Sequence, residues 1–284
     1  MAAGRSERMV ADGGAEDLAL HIIEFDPRPP EQYLFAATPA SAPALAMAAK
    51  VLAPDPIPWP DGLAPTPTRP TRKPGTTVPL PQADVLVVTY TVAEALALAD
   101  VLTPGWAVDD WLRYRNGWQQ LKKTVAPGRA PSLERDQAGL WATTTVGDVS
   151  VVVVKSDLHP STDGPQLPIR ALWEQMIDQV KPTLVITTRT AGGIGADVLL
   201  GGVVVSRHVR WDATLRLADA PFAYQPHTST AKLHPGQFDT AVKTLIPVNA
   251  KHLPLAGRAP LIFRDTAASP VSVISTDFFA FDDA

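Results

Sequence analysis

From Ala83 onward the chain sets short apolar runs between longer segments in which apolar positions recur every three or four residues. Val85 to Thr89 (V-L-V-V-T) is a continuous apolar run, the pattern of a strand covered on both faces. A helix is predicted from Thr91 to the T-P-G at Thr103–Gly105, where proline and glycine stop it. Leu140 to Thr145 and Val149 to Lys155 read as strands joined across Gly147 and Asp148, a two-residue hairpin with glycine first. Pro168 to Val180 reads as a helix with proline in its first turn. Its apolar stripe is Ile169, Leu172, Trp173, Met176, Ile177 and Val180. Leu184 to Thr188 and Gly202 to Arg210 supply further strands, Gln237 to about Leu245 a helix, and Val271 to Thr276 a last strand. Strands alternating with helices, plus one hairpin, predict an α/β domain over 83–284 with a mixed β-sheet flanked by helices.

Proline changes the picture ahead of this domain. Ten of the 29 prolines fall between Pro54 and Pro81. A run so interrupted is expected to form neither ladder nor helix, which makes 54–82 a Pro-rich, extended linker. Residues 1–53 form an N-terminal extension. Within it Leu18 to Phe25 is a short strand or helix, and Ser41 to Leu52 an alanine-rich helix with Pro43 in its first turn. Neither carries recognisable chemistry, and a segment this small struggles to bury a core of its own.

Composition narrows the class. The 284 residues suffice for one generous domain or two small ones, and 45% hydrophobic content can build a core. A net charge of −4 gives no reason to expect nucleic acid or an anionic membrane as partner. With no cysteine, disulfides and thiolate metal sites are excluded, which suits a cytoplasmic protein. The charged N-terminus lacks the apolar stretch of a signal peptide, and no run approaches ~18 apolar residues. Five of the six histidines (His159, His208, His227, His234 and His252) have no metal-ligand spacing, and neither a nucleophile elbow nor a phosphate-binding P-loop occurs.

Three places can carry chemistry. The first is the turn R-T-A-G-G-I-G that follows the strand at Leu184. It is either a tight connection between core strands or a place where backbone N–H groups approach an anion or a sugar hydroxyl. The turn departs from a dinucleotide fingerprint, because Gly193-x-Gly195 lacks the third glycine and the sequence continues into a strand instead of a helix. The second is Glu94, which makes Thr91-x-x-Glu94 a capping box and is also a carboxylate placed just after a strand. The third is the terminal V-S-V-I-S-T-D-F-F-A-F, either a closing strand with its phenylalanines in the core or an aromatic platform.

The stretch Lys181 to Asp212 (K-P-T-L-V-I-T-T-R-T-A-G-G-I-G-A-D-V-L-L-G-G-V-V-V-S-R-H-V-R-W-D) resembles the nucleoside phosphorylase and nucleosidase superfamily. Its members carry K-P-D-hhh-x-x-G-[ST]-A-G-G followed by G-D-h-V-h-S. The resemblance spans about residues 83–284 and implies a nucleoside phosphorylase-like domain that cleaves the bond between ribose and nucleobase. It places Thr190, Ala191, Gly192 and Gly193 at the ribose or phosphate. Arg189 stands where a glycine is usual, a departure that leaves it to recognise an added phosphate, to block the pocket, or to reach solvent. By the same resemblance Glu94 orients the attacking water or phosphate, Phe279 stacks on the base, and Phe278 and Asp277 flank it. Base stacking is worth about 1–3 kcal/mol in nucleic-acid-binding proteins. No metal or organic cofactor is implied; inorganic phosphate is a possible co-substrate, the partner is a nucleoside or nucleotide, and family members commonly assemble as homo-oligomers.

Two family elements are missing: V-E-M-E, whose glutamate grips the ribose hydroxyls, and a later S-D, whose aspartate protonates the leaving base. A C-terminally incomplete form of a longer enzyme, an inactive nucleoside-binding module, and a site completed by a partner chain all account for this. The abrupt stop after an apolar strand makes the first the expectation. A third class of function gives the working role to the N-terminal extension, its prolines recruiting a partner with an aromatic groove.

Overall fold

The computed structural model describes residues 57, 59–71, 73–125, 131–158, 168–189, 202–211, 226–231, 234, 236–240, 243, 262–264 and 272–275. The chain parts into two compact units, with the division after Thr190. The described residues of the larger unit run from Trp59 to Arg189; those of the other lie between Gly202 and Ser275, with Ile57.

In the larger unit the order is β1 (Thr66–Pro67), β2 (Val85–Thr89), α1 (Val92–Leu102), a 3₁₀ turn at Val108–Asp110, and β3 (Leu112–Tyr114). Then follow α2 (Trp118–Leu121), α3 (Pro131–Arg135), β4 (Gly139–Val146), β5 (Val149–Ser156), α4 (Pro168–Val180) and β6 (Leu184–Thr187). They build one mixed sheet in the order β1-β4-β5-β2-β6, with β3 also on β4. β2 runs parallel to both β5 and β6, while β4 runs antiparallel to β5, β3 and β1.

The continuous apolar strands are buried on both faces. Val152 and Val154 join Leu86 and Val88 under Leu172, Met176 and Val180 of α4. Val151 and Val153 join Val87 on the other face, against Ala99 of α1, Trp106 and Trp111. Helices α1 and α4 therefore cover opposite faces. The hairpin forms as expected: Gly147 has φ 59° and Asp148 stays out of the left-handed region, the pattern of a type II′ turn.

Three local expectations are corrected. The proline run does enter a ladder, since Thr66 and Pro67 pair with Thr145 and Thr144. An edge strand tolerates proline where the missing N–H points away from the sheet. Ile177 leaves the stripe of α4 and is 42% exposed. Pro168, Leu172, Met176 and Val180, four residues apart, form the buried line instead, and Ile177 lies well round the helix from it. The run Gly202–Arg210 is broken into β7 (Val203–Val205) and β8 (His208–Trp211). The Ser206 hydroxyl accepts from the His208 amide and donates to its carbonyl, which draws the backbone out of a straight strand.

In the smaller unit β7 runs parallel to β10 (Ile262–Arg264). β8 lies between β9 (Pro226–Thr228), antiparallel, and β11 (Ser272–Ser275), parallel. Residues 236–240 are helical, one residue ahead of and overlapping the helix expected from Gln237. The expected elements at Leu18–Phe25 and Ser41–Leu52 lie outside the described residues.

Candidate functional site

β2 is the topological pivot of the sheet. After β2 the chain moves to the β5 side, and α4 carries it back across β2 to β6. The connections leaving β2 and β5 thus depart on opposite faces, and such divergence opens a crevice at the carboxyl ends of the two strands. The polar residues at that end come from the last positions of the strands, where the valine runs stop.

Thr89 closes β2 and pairs in register with Lys155 near the end of β5. Both are buried, Thr89 at 0% and Lys155 at 3% exposure. Both also follow the face of Val87 and Val153, the α1 face, because side chains alternate along a strand. Beyond β6 the ladder continues for one more residue, with the Thr188 amide donating to the Val88 carbonyl at 3.0 Å. Thr188, Thr89 and Lys155 therefore line up across three parallel strands.

Glu94 stands over this row. Thr91 caps α1, its hydroxyl accepting from the Glu94 amide at 3.2 Å. In return Glu94 Oε2 accepts from the amides of Tyr90 and Thr91, each at 3.0 Å, and from the Thr89 hydroxyl at 2.7 Å. The capping box anticipated from Thr91-x-x-Glu94 is therefore formed, and it draws the carboxylate to the end of β2. The Thr89 hydroxyl also lies 3.2 Å from the Thr188 carbonyl. A hydroxyl has one proton to give, and the shorter contact to a carboxylate is the stronger. The Thr188 hydroxyl oxygen is buried with no hydrogen-bond partner among the described residues.

On the β5 side Lys155 forms an ion pair with Asp157, whose side chain is fully buried. Gln137 completes the group by donating from Nε2 to Asp157 Oδ2 at 2.8 Å. Two charges removed from water cost several kcal/mol each, which their attraction repays only with good geometry and added hydrogen bonds. Gln137 carries no signal in the sequence, whereas Lys155 and Asp157 open the loop K-S-D-L-H-P-S-T-D-G (Lys155 to Gly164), which the sequence alone leaves as either a pocket rim or an oligomer contact. The available signal was K-S-D directly after V-V-V-V, a charged pair inserted where a buried strand ends.

Arg189 follows β6 and lays its guanidinium over the Tyr90 ring, 4.8 Å from the centroid. The Tyr90 hydroxyl accepts from the Trp173 indole at 2.9 Å, which ties the ring to α4. Of the residues named from the sequence, Glu94 and Arg189 thus both lie at the carboxyl end of the β2–β6 pair. Thr190, Ala191, Gly192, Gly193, Asp277, Phe278 and Phe279 lie outside the described residues. Among the described residues no group of three or more His, Cys, Asp or Glu is placed to hold a metal ion. No helix there is long and apolar enough to cross a membrane.

No protein-family model matches this chain, and no curated protein matches it in sequence. Among solved structures it is similar to Helicobacter pylori MTAN, at 12% identity over 70% of each chain and a TM-score of 0.33. A superposition this loose assigns no role to any residue of the chain.

Proposed function

We propose that the chain cleaves the N-glycosidic bond of a nucleoside or related compound, by phosphorolysis or hydrolysis. The observation that carries the reading is the row of Thr89, Glu94 and Thr188 at the carboxyl ends of two parallel strands. It lies directly ahead of the T-A-G-G sequence that resembles a ribose-binding turn. In this reading Thr190, Ala191, Gly192 and Gly193 hold ribose or phosphate, and Glu94 orients the attacking water or phosphate ion. Arg189 engages an added phosphate, and Phe279 stacks on the base with Phe278 and Asp277 beside it.

The chemistry explains why such groups are needed. Glycosidic cleavage passes through an oxocarbenium-like sugar, so a carboxylate near the reacting carbon stabilises developing positive charge. The base departs with negative charge, which a positioned acid relieves by a factor of about 10² to 10⁴. The test is incubation of the chain with a panel of nucleosides and nucleotides, with and without phosphate, while free base is monitored. Base release that falls on Thr190→Val and on Phe279→Ala supports the assignment. Release at the unaltered rate in both variants removes it.

A second reading, a nucleoside-binding or regulatory module without catalysis, is favoured by one observation. Glu94 Oε2 already accepts three hydrogen bonds in its capping role. Nucleoside binding without release of base selects this reading.

A further inference from the structure

We infer that a cleft beside β3 and α3 binds a small phosphate ester with a hydroxylated body, at a place lined by none of Thr89, Glu94 and Thr188. The cleft encloses about 550 Å³, inside the range of ~300–1,000 Å³ usual for small-molecule sites. Three cations reach it from separate parts of the chain: Lys73 from the arm ahead of β2, Arg113 from the middle of β3, and Arg135 from the end of α3. Asp109 and Glu134 share the lining, yet no salt bridge among the described residues joins either one to Lys73 or Arg113. Several other basic side chains of the unit are engaged. Arg115 and Lys122 hold Asp136, Arg170 holds Glu174, and Arg69 covers the Trp106 ring. Lys73 and Arg113 thus bring to one cavity two charges that no salt bridge among the described residues neutralises.

The lining also selects the kind of anion. The Arg113 guanidinium and the Lys73 ammonium together offer more donors than the two oxygens of one carboxylate can accept in a shared geometry, and a phosphate dianion supplies the additional oxygen. Trp111, Leu112 and Leu140 contribute apolar wall against which the body of a ligand can lie. Gln137 supplies the directional contact. Its Nε2 is committed to Asp157 at 2.8 Å, which fixes the amide and leaves its carbonyl oxygen as the acceptor for a ligand hydroxyl. A sugar phosphate combines the dianion with such a hydroxyl; inorganic phosphate has no sugar hydroxyl to offer.

The test is calorimetric titration of the full chain with ribose 5-phosphate, inorganic phosphate and ribose at low ionic strength. Ribose 5-phosphate is expected to bind at least about tenfold more tightly than inorganic phosphate, and ribose not measurably. Losing a charge-assisted bond in Arg113→Ala should weaken ester binding by about tenfold or more. Arg113→Lys should recover part of that loss, and raised salt should weaken binding throughout. Absence of ester binding overturns the inference. So does unchanged affinity in the Arg113→Ala and Lys73→Ala chains when circular dichroism and the unfolding midpoint show them folded. Equal affinity for ester and inorganic phosphate overturns the assignment to an ester. Base release is not the readout, so failure here leaves the glycosidic-bond proposal standing, and the converse holds.

Discussion

The hydroxyl of Thr89 lies 2.7 Å from Glu94 Oε2, so the last residue of β2 and the first turn of α1 close on one carboxylate oxygen. A structural cap and a catalytic carboxylate make different demands on that oxygen. Glutamine can serve in a capping box as glutamate does. Glu94→Gln should therefore stay within about 0.5 kcal/mol of the unaltered chain in urea unfolding. Glu94→Ala strands two amides and should cost about 1–2 kcal/mol. If Glu94 also orients the nucleophile, base release should fall by about 10²-fold or more in Glu94→Gln despite preserved stability. Unchanged release in that variant leaves Glu94 with the cap alone.

The buried pair at the end of β5 makes a separate prediction. Lys155→Met leaves the Asp157 charge without its cation in a dry site and should cost about 3–5 kcal/mol. Replacing both partners, Lys155→Met with Asp157→Leu, should restore much of that loss, because matched apolar groups avoid the stranded charge. Urea midpoints of the two variants decide the matter. A single variant as stable as the double one contradicts the burial described here.

Asp136 gathers Lys122 at 2.9 Å, the Trp118 indole at 3.0 Å and the Arg115 guanidinium on one carboxylate. The bond from Lys122, then that from Trp118, hold its carboxyl below the ordinary value of 3.8, and Arg115 adds to the effect. A pKa lowered by folding contributes stability above the unfolded value that is lost as pH falls through the folded one. Thermal midpoints should therefore drop on acidification below about pH 4. Asp136→Asn should show a shallower acid slope, since its amide does not titrate there. Asparagine also suits the φ of 50° at this position, so backbone strain does not confound the comparison.

Tyr114 should govern the alkaline side. Its hydroxyl accepts from Gln175 at 2.6 Å and donates to Gln179 at 2.9 Å, and burial pushes its pKa up from 10.0 to about 12. Between those values the unfolded tyrosine ionises while the folded one does not. The stability present below pH 10 should decline as pH rises toward 12. Tyr114→Phe should remove that component of the slope, and at neutral pH it should cost about 0.5–1.5 kcal/mol, since Gln175 keeps its bond to the Asn116 carbonyl and Gln179 its bond from the Leu80 amide. Unfolding midpoints of both chains across the range provide the check.

Much of the larger unit was legible because local and tertiary demands coincide there. Thr91 and Glu94 cap α1 as their spacing implies, and the valines of β2 and β5 are buried on both faces as an unbroken apolar run requires. Glycine at position 147 dictated the hairpin. What escaped notice depends on partners far along the chain. β3 is only three residues long and exists through its pairing with Gly139–Trp141. Trp106, Trp111 and Trp118 are buried without any periodicity to announce it. The polar end of the sheet was half visible: Glu94 and Arg189 stood out, whereas Lys155 and Asp157 gain meaning only beside Gln137, which lies 20 residues from Asp157 in sequence. The missed strand at Thr66–Pro67 illustrates the same point, since proline content forbids a central strand and permits a marginal one.

That marginal strand also acts as a stopper. Thr68 donates inward to Thr143, so Pro67, one residue earlier, turns its ring nitrogen to the outside. A foreign chain that tried to zip onto this border would meet a position with nothing to donate, and its ladder would stall there. The proline-dense arm thereby discourages fibrous stacking along the rim it occupies, a protective duty unconnected with any ligand.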